Sequence, residues 1–358
     1  MEMKDRIQLL REKIDSLDDE IIHLLNARAE LALEVGKAKG ASKADPYNPK
    51  REEEILRRLE SRHPGPFPRN AVPSVFREII SACRSLEAEL TVVYLGPPAT
   101  HTHLAAVERF GSSVKMIPCE GIEEIFEAVE KGKASFGVVP IENSNEGVVN
   151  RTLDMFVDSE VKICGEVLIR ISHELLSRSG DPEKVRKIYS HPQALGQCRQ
   201  WLKKHFPRAV LEETTSTSRA AQIAAEKEEG AAVASSLASS LYRLKVVESR
   251  IEDYLHNYTR FLVLGQQPVE STGRDKTSLL FSISHSPGSL YEILKPFSER
   301  AINLTKIESR PIKDTPWEYI FFLDFEGHMS DLKIRETLEE MKKNTLFFKL
   351  LGSYPRRS

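Results

Sequence analysis

The sequence predicts three successive domains of different fold class, namely all-α, α/β and α+β. Apolar residues recur at spacings of three and four along the N-terminal segment, which is typical of a packed helix. From residue 91 onwards, short β-branched runs alternate with helical stretches, as in an α/β domain. The C-terminal segment follows the order β-α-β-β-α-β, which indicates a ferredoxin-like unit. A chain of 358 residues is long enough for all three.

The composition narrows the possible function classes. Hydrophobic residues make up 40% of the chain and charged residues 29%, which is ordinary for a globular protein. The net charge of −2, without a basic run, predicts no nucleic-acid or membrane partner. The charged N-terminal segment is unlike a signal peptide, and the four cysteines form no CxxC pair. We therefore expect a cytoplasmic protein with reduced thiols and no metal site.

One long helix dominates the first domain, residues 1–90. Its apolar seam consists of Ile7, Leu10, Ile14, Leu17, Ile21, Leu24, Leu31 and Val35. A breaker from Ala44 to Pro49 ends the helical pattern. Further helices are predicted from about Lys50 to Ser61 and from about Pro73 to Leu90. Because three such helices cover the long seam poorly, we expect a bundle formed by two chains.

Two arginines on this helix are too far apart to bind one small molecule. Arg11 and Arg28 are separated by 17 residues, or about 25 Å at the helical rise. Lys39 lies about 16 Å beyond Arg28 on nearly the same face. A charge on an apolar seam needs a partner. Either each arginine pairs with a protein carboxylate, or each belongs to an anion site completed by another chain.

The remaining elements follow from β-rich runs and helical stretches. In the α/β domain the predicted strands are Thr91–Leu95, Gly137–Pro140, Lys187–Tyr189 and Ala231–Ala234, with a helix from Arg219 to Glu229. The polar segment 265–276 is predicted to be a linker. In the last domain we predict strands at Thr277–Ser284, Ile302–Ser309, Trp317–Phe325 and Phe347–Tyr354, helices at Ser289–Arg300 and Asp331–Lys343, and a turn at Pro311–Pro316.

Charged residues recur on the apolar helices of the first domain in a specific arrangement. The text reads Arg11-Glu-Lys-Ile-Asp15, Arg28 with Glu30-Leu-Ala, Val35-Gly-Lys-Ala-Lys39, and Arg51-Glu52. With these residues the domain resembles the AroQ-type chorismate mutases. The resemblance implies an intertwined helical dimer in which one chain supplies Arg28, Lys39 and Arg51 and the other supplies Arg11. It also implies chorismate as substrate, rearranged to prephenate by confinement and by charge at the breaking ether oxygen.

The resemblance assigns roles within this site. Lys39 would donate to the ether oxygen, Arg11 and Arg28 would hold carboxylates, and Glu52 would accept from the ring hydroxyl. The implied site further includes Arg51, Asn48, Cys83 and the catalytic Glu87.

Two of these residues depart from the common pattern of the mutases. Asn48 stands where many members have aspartate, and Glu87 stands where some have a glutamine that donates to the ether oxygen. A carboxylate donates only when it is protonated. We therefore expect mutase activity to fall as the pH rises.

Small polar residues form three distant blocks in the α/β domain, which we expect to follow predicted strands, where ligand crevices form. The blocks are Gly137-Val-Val-Pro-Ile-Glu142-Asn143-Ser144-Asn-Glu-Gly147, Tyr189-Ser190-His191-Pro192-Gln193 with Gln197-Cys198, and Ile251-Glu252-Asp253 with Asn257-Tyr-Thr259-Arg260-Phe261. With these blocks the domain resembles prephenate dehydratase. The resemblance implies two α/β lobes, like a type II periplasmic binding protein, with the site between them.

The implied reaction removes CO₂ and water from prephenate and gives phenylpyruvate. The catalytic candidate is Thr259, which would assist departure of the hydroxyl. Asn143, Ser190 and Gln197 would orient the substrate, Arg260 would pair a carboxylate, and Glu142 would organise its loop.

Several residues of this domain admit two interpretations. The loop Gly96–Thr102 reads Gly-Pro-Pro-Ala-Thr-His-Thr where many relatives read Gly-Pro-Glu-Gly-Thr-Phe-Ser. His101 and His103 could suggest a metal but lack an acidic or cysteine partner nearby. His191 is interpreted as a turn residue rather than a base. The Glu252–Asp253 pair is either catalytic or structural.

The last domain carries Pro287-Gly288-Ser289-Leu290 before its first helix and Glu308-Ser309-Arg310-Pro311 at the end of its second strand. With these blocks it resembles the ACT regulatory module. The resemblance implies that phenylalanine binds between two such modules, at Gly288, Ser289, Leu290, Glu308, Ser309 and Arg310.

Together the three resemblances predict a bifunctional, cofactor-free enzyme inhibited by phenylalanine, with domains at 1–90, 91–268 and 276–358. A homodimer is expected, and dimers could pair further into tetramers. Two alternatives stay open from the sequence: a dehydratase that prefers arogenate, and a non-catalytic amino-acid-binding regulator.

Overall fold

The computed structural model describes residues 2–40, 47–63, 65–254, 256–311 and 319–356. For residues 2, 3, 39 and 40 it describes the helical backbone alone. The chain forms two compact units, one of Met1–Leu90 with Phe110–Lys115 and the other of Thr91–Arg109 with Met116–Ser358. None of the described helices combines the length and apolar character needed to cross a membrane.

The first unit is helical, as the sequence predicts. Its helices are α1 (Glu2–Gly40), α2 (Pro49–Ser61) and α3 (Val72–Glu87). Helix α2 begins where Asn48 Oδ1 accepts from the Arg51 backbone N–H at 2.9 Å, and a proline in the first turn needs no N–H partner there. The three helices confirm the predicted ones to within a few residues. The predicted breaker residues 44–46 lie outside the described part of the chain.

The apolar seam of α1 is exposed in the single chain. Leu17 is 56% exposed and Leu24 is 66% exposed. The seam residues Ile7, Leu10, Ile14, Ile21, Leu31 and Val35 are also exposed. An apolar row of this length in water indicates a surface that another helix covers.

The second unit begins with two lobes, each built on a sheet. Its helices are α4 (His101–Phe110), α5 (Ile122–Glu130), α6 (Asn150–Asp158), α7 (Pro192–Gln197), α8 (Arg199–His205), α9 (Thr217–Glu226) and α10 (Ser236–Tyr242). Its strands are β1 (Thr91–Leu95), β2 (Lys115–Cys119), β3 (Phe136–Asn143), β4 (Gly147–Val148), β5 (Lys162–Arg170), β6 (Glu174–Ser177), β7 (Lys187–Ser190), β8 (Val210–Glu213), β9 (Gly230–Ala234), β10 (Lys245–Ser249) and β11 (Tyr258–Gly265).

The strand order explains the two lobes. The first sheet has the order β2-β1-β3-β11-β5, with β4 paired to β3, and the second has the order β10-β6-β9-β7-β8. The chain enters the second lobe after β5 and returns in β11, which pairs antiparallel with both β3 and β5. The Thr259–Phe261 triplet therefore lies inside a strand, and the prediction that this block follows a strand is corrected.

The C-terminal part of the second unit is a ferredoxin-like module. Its elements are β12 (Asp275–Ser282), α11 (Ser289–Glu299), β13 (Leu304–Pro311), β14 (Tyr319–Glu326), α12 (Leu332–Lys343) and β15 (Phe347–Pro355). The strands form an antiparallel sheet in the order β13-β14-β12-β15, which is the predicted β-α-β-β-α-β arrangement. The predicted turn residues 312–316 and the predicted strand residues 317 and 318 lie outside the described residues.

This module shares a hydrophobic core with the first lobe. Leu280, Phe322 and Leu351 of the module belong to the same buried cluster as Val139 of β3 and Leu262 of β11. Because close-packed interiors resist deformation, the two sheets are mechanically joined.

Candidate functional site

A cavity of about 390 Å³ lies in the second unit, between residues of its two lobes. Apolar residues such as Ile171 and Phe261 form part of the wall, and its polar residues are Thr100, His101, Thr102, Asn143, His173, His191, Gln193, Gln197, Thr215, Ser216, Thr217, Asn257 and Thr259. Of the sequence-predicted dehydratase residues, the fold brings Asn143, Gln197 and Thr259 to this wall.

Thr259 and Asn143 face each other across the β11–β3 pairing. Asn143 Nδ2 donates to Thr259 Oγ1 at 2.8 Å and to Asn257 Oδ1 at 2.7 Å. Asn143 Oδ1 accepts from the backbone N–H groups of Asn145 and Glu146. These contacts fix the amide orientation, and because Thr259 Oγ1 accepts here, its own hydroxyl proton points elsewhere. Within the described ranges, no protein acceptor for that proton is observed.

Gln197 and Glu146 connect the two lobes at the cavity. His173 Nε2 lies 2.6 Å from Gln197 Oε1, and Gln197 Nε2 donates to Glu146 Oε1 at 3.4 Å. The amide therefore presents its oxygen to His173, which donates from Nε2. Glu146 also accepts from Gln193 Nε2. A carboxylate from the β3–β4 loop thus contacts α7 of the other lobe.

Two neutral histidines line the same wall. The rings of His101 and His173 meet edge to face with centroids 5.6 Å apart. Burial lowers the pKa of His101 to about 4, and repulsion from His173 adds to the shift. Burial likewise lowers the pKa of His173. Near pH 7 each ring is therefore neutral, with one N–H donor and one acceptor nitrogen.

Two predicted substrate contacts are not at the cavity. Ser190 is fully buried, and its hydroxyl donates to the Val233 carbonyl at 2.6 Å. Arg260 is buried as well, and its guanidinium donates to three protein carboxylates, including Glu166 Oε2 at 2.8 Å. A guanidinium already neutralised by carboxylates has little capacity for another anion. This arrangement speaks against the predictions that Ser190 orients the substrate and that Arg260 pairs a substrate carboxylate.

The residues with two interpretations take structural roles. Asp253 caps α8 by accepting from the backbone N–H groups of Gln200 and Trp201. Glu252 accepts from the His173 backbone N–H at 3.0 Å. His191 Nδ1 accepts from the Gln193 backbone N–H as the cap of α7.

Among the described residues, no cluster of histidine, cysteine, aspartate or glutamate has the arrangement of a metal site. His103 Nδ1 accepts from the Ala99 backbone N–H at 3.0 Å, so one ring nitrogen of this metal candidate is occupied.

The predicted mutase residues are distributed over the three helices of the first unit. On α1, Arg11 is exposed, Arg28 is half-buried, and the side chain of Lys39 lies outside the described residues. Arg51 pairs with Glu54 at 3.2 Å on the exposed face of α2. Asn48 caps α2, so its side-chain oxygen has a structural role whatever else it contacts.

On α3, Cys83 is buried, and Glu87 packs against Gly36 of α1. A Cβ at Gly36 would come within 3.1 Å of the Glu87 Cβ. Because Gly36 lies about one helical turn before Lys39 on α1, Glu87 contacts α1 close to the position of Lys39.

Arg84 contacts the predicted site residue Glu52, although the sequence did not single it out. Its side chain is 4% exposed, pairs with Glu52 Oε1 and donates to the Phe110 carbonyl at 2.7 Å. Its guanidinium lies 5.1 Å from the centroid of the Tyr47 ring. Glu52 therefore has a protein partner in addition to any substrate hydroxyl. A charged residue among buried α3 positions was the available signal.

A second cavity, of about 440 Å³, lies in the C-terminal module. The predicted residues Gly288, Ser289, Leu290 and Ser309 line it. Gly288 has φ +86°, a left-handed conformation at the start of α11 that favours glycine.

Glu308 and Arg310 do not line this second cavity. They lie on the opposite face of β13 from Ser309, because side chains alternate along a strand. Arg310 Nη2 donates to Asp154 of α6 at 3.0 Å. This arrangement speaks against a direct phenylalanine contact by Arg310 and Glu308.

Three family models match consecutive parts of the chain. They are chorismate mutase type II over residues 10–88, prephenate dehydratase over residues 92–269, and the ACT domain over residues 277–342.

Individual proteins match more of the chain. The bifunctional chorismate mutase/prephenate dehydratase of Aquifex aeolicus is 48% identical over 356 residues, which is 98% of each protein. The structure of prephenate dehydratase from Arthrobacter aurescens in complex with L-Phe has 34% identity and a TM-score of 0.68, covering 75% of this chain and 90% of that one. A structure described as a quorum quenching acylase also has a TM-score of 0.68, at 27% identity, and covers 75% of this chain and 98% of that one.

Proposed function

This chain belongs to the family of bifunctional chorismate mutase/prephenate dehydratases, and from that premise we propose how its residues divide the two reactions and their control. The family converts chorismate to prephenate and prephenate to phenylpyruvate, and the ACT domain is the regulatory part. We propose that the domains span 1–90, 91–268 and 276–358.

For the dehydratase, the observation that carries the proposal is the Asn143–Thr259 hydrogen bond at the cavity wall. Asn143 occupies a lone pair of Thr259 Oγ1 and leaves the hydroxyl proton free to donate to the departing hydroxyl of prephenate. As the C–O bond breaks, the ring carboxylate leaves as CO₂, and its bonding electrons complete the aromatic ring. The hydroxyl leaves as water once a proton reaches it.

The carboxylates of prephenate need a partner other than Arg260. Thr100–Thr102 at the start of α4 and Thr215–Thr217 at the start of α9 line the cavity. Helix N-termini present backbone N–H groups and a positive partial charge. We assign carboxylate binding to these two ends, with Gln197 as an orienting contact.

For the mutase, we propose a homodimer in which the exposed seam of α1 packs against a second copy. Arg28, Lys39 and Arg51 of one chain and Arg11 of the other would then surround the dicarboxylate. Glu52 receives support from Arg84, which neutralises one carboxylate oxygen and fixes the side chain. Asn48, Cys83 and Glu87 complete the wall.

For the regulation, we propose that phenylalanine occupies the cavity lined by Gly288, Ser289, Leu290 and Ser309. The backbone N–H groups at the start of α11 would receive its carboxylate. Inhibition follows if phenylalanine binds better to a less active arrangement of the chain.

Coupled turnover of chorismate by the full chain tests these assignments together. We expect both prephenate and phenylpyruvate, with phenylalanine suppressing the second. Thr259→Val should lower the dehydratase kcat by about 100-fold or more and leave the mutase rate unchanged. Val233→Ile, which changes a buried residue away from the lining, is the matched control. Prephenate that accumulates in the wild type would point to arogenate as the substrate of the second site.

A further inference from the structure

Six charged side chains form a cluster behind the Thr259–Asn143 pair. The cluster consists of Arg260, Lys276, Lys306, Glu142, Glu166 and Asp324. It holds three positive and three negative charges, which balance. Arg260 is its central member, because the guanidinium donates hydrogen bonds to all three carboxylates. We call this set the ion cluster.

The ion cluster is attached directly to the two cavity residues. In the β11–β3 pairing, Thr259 is opposite Asn143 and Arg260 is opposite Glu142. Neighbouring side chains on a strand point to opposite faces of the sheet. Each cavity residue is therefore followed or preceded by a residue of the ion cluster on the other face.

The far side of the ion cluster belongs to the ACT sheet. Arg260 Nη1 donates to Asp324 Oδ2 of β14 at 2.6 Å, and Arg260 Nη2 donates to Tyr354 Oη of β15 at 3.0 Å. Ser278 of β12 contacts Tyr354 Oη at 2.6 Å and also donates to Asp324. Asp324 and Tyr354 are fully buried. One hydrogen-bonded network therefore connects β11 with three adjacent strands of the ACT sheet.

Strand β13 connects the ion cluster to the cavity proposed to bind phenylalanine. Ser309 of β13 lines that cavity, whereas Lys306 on the other face of the strand pairs with Glu142. Among the titratable groups that face Glu142 are Lys306 and Arg260, which outweigh burial and hold the pKa of this carboxyl below its ordinary value. Glu142 is therefore a carboxylate near pH 7.

We propose that the ion cluster positions Thr259 and Asn143 and transmits the state of the phenylalanine cavity to them, through Lys306–Glu142 and through Asp324–Arg260. A shift of β13 on effector binding would pull on Glu142, and the adjacent Asn143 would change its contact with Thr259. The proposal rests on the function proposed above. It makes Lys306 and Arg260 positioning residues that touch neither substrate nor effector.

Two lysines of the ACT sheet provide a matched experiment. The Lys306 side chain is 11% exposed and pairs with Glu142 next to the cavity pair. The Lys349 side chain is 12% exposed, pairs with Glu160 and donates to the Val157 carbonyl at 3.0 Å, and both partners lie outside β3 and β11. Each residue is changed separately to glutamine in the full chain. Dehydratase kcat and KM are measured with and without saturating phenylalanine, and phenylalanine affinity is measured by titration calorimetry.

For Lys306→Gln we expect phenylalanine to bind within about twofold of the wild-type affinity, while the ratio of uninhibited to inhibited kcat falls by about threefold or more. The basal kcat should fall more than KM rises, because the altered contact acts on positioning of Thr259. Lys306→Arg should restore the wild-type ratio. Lys349→Gln should behave as wild type.

Equal inhibition ratios in Lys306→Gln and Lys349→Gln would overturn the proposal. Loss of phenylalanine binding in Lys306→Gln would also overturn it, since the residue would then act at the effector site. Tyr354→Phe provides a second test if Lys306→Gln fails to fold. This variant removes one hydrogen-bond partner of Arg260 and keeps the ring, and it should also lower the ratio of uninhibited to inhibited kcat. An unchanged ratio in Tyr354→Phe would contradict the proposal. A wild-type chain without dehydratase activity or without inhibition would refute the proposed function instead.

Discussion

The two units of the chain complete their sites in different ways. In the second unit, residues from β3, β11 and α7 meet at one cavity within a single chain. In the first unit, Arg11 on the long helix α1 is exposed, and the apolar seam beside it is exposed as well. A cavity that one chain encloses can be interpreted from that chain alone. A seam that one chain leaves in water indicates a surface that another helix covers, which is the basis of the dimer proposed above.

The difference also separates the two kinds of charged residue. In the second unit, Arg260 finds Asp324 and Glu166 within its own chain and becomes structural. In the first unit, Arg84 forms an ion pair with Glu52 of the same chain, whereas Arg11 is exposed. An arginine satisfied by protein carboxylates stabilises the fold, and an arginine left open is available for a ligand.

The largest effect that would test this comparison is a charge placed in the seam. Leu17→Glu should abolish dimer formation and lower the mutase rate by about 100-fold or more, because a carboxylate would be buried in the interface. The dehydratase rate should stay within about threefold. Sedimentation and the two assays measure these effects. The control Asp19→Gln, on the opposite face of the helix, should leave dimer formation, the mutase rate and the dehydratase rate unchanged. A Leu17→Glu protein that remains dimeric with normal mutase activity would refute the shared site.

An intermediate effect is expected in the second unit, where a lower pH should reduce the free energy of unfolding. The folded-state pKa of His101, about 4, lies below its ordinary value of 6.5. Below about pH 6.5 the unfolded chain therefore binds more protons, and the free energy of unfolding falls as the pH decreases towards 4. His101 alone should account for about 2 kcal/mol of this loss between pH 7 and 5.

His101→Phe should remove that part of the acid sensitivity, and the lowered pKa of His173 should leave the remainder. Urea unfolding followed at pH 7 and pH 5 measures it. His205→Gln, at an exposed histidine of the same unit, is the control. An unchanged loss between the two pH values in His101→Phe would contradict the assignment.

The smallest effect is expected in the first unit, at Glu87. If Glu87 donates to the ether oxygen of chorismate, it does so only when protonated, so mutase activity should fall as the pH rises. Glu87→Gln carries a permanent donor and should flatten the profile, with a gain of about threefold at pH 8. Rates of chorismate loss between pH 5 and 9 measure this. A wild-type profile that is already flat, with no change in Glu87→Gln, would exclude the role.

Much of the fold could be predicted because the decisive patterns are local. The run Thr91–Leu95 is β1 at its predicted bounds, and the helix predicted from Ser289 to Arg300 is α11 to within one residue. The predicted seam of α1 and the ferredoxin-like order follow the same rule. Strands such as β5 and β10 were not predicted, because their pairing depends on partners distant in sequence.

The sequence by itself determined the domain order, the helices of the first domain, the elements of the last domain, the motif blocks, and Asn143, Gln197 and Thr259 as candidate residues that the fold brings to the cavity. Only the tertiary structure decided which charges are already paired. Arg260 and Asp324 are 64 residues apart in the chain and meet through packing of two sheets. Periodicity records which face of an element is buried, but the partner of a buried charge is set by contacts distant in sequence. For that reason Arg260, Ser190 and Arg310 were predicted at ligand sites, whereas in the structure each contacts a protein group distant in sequence.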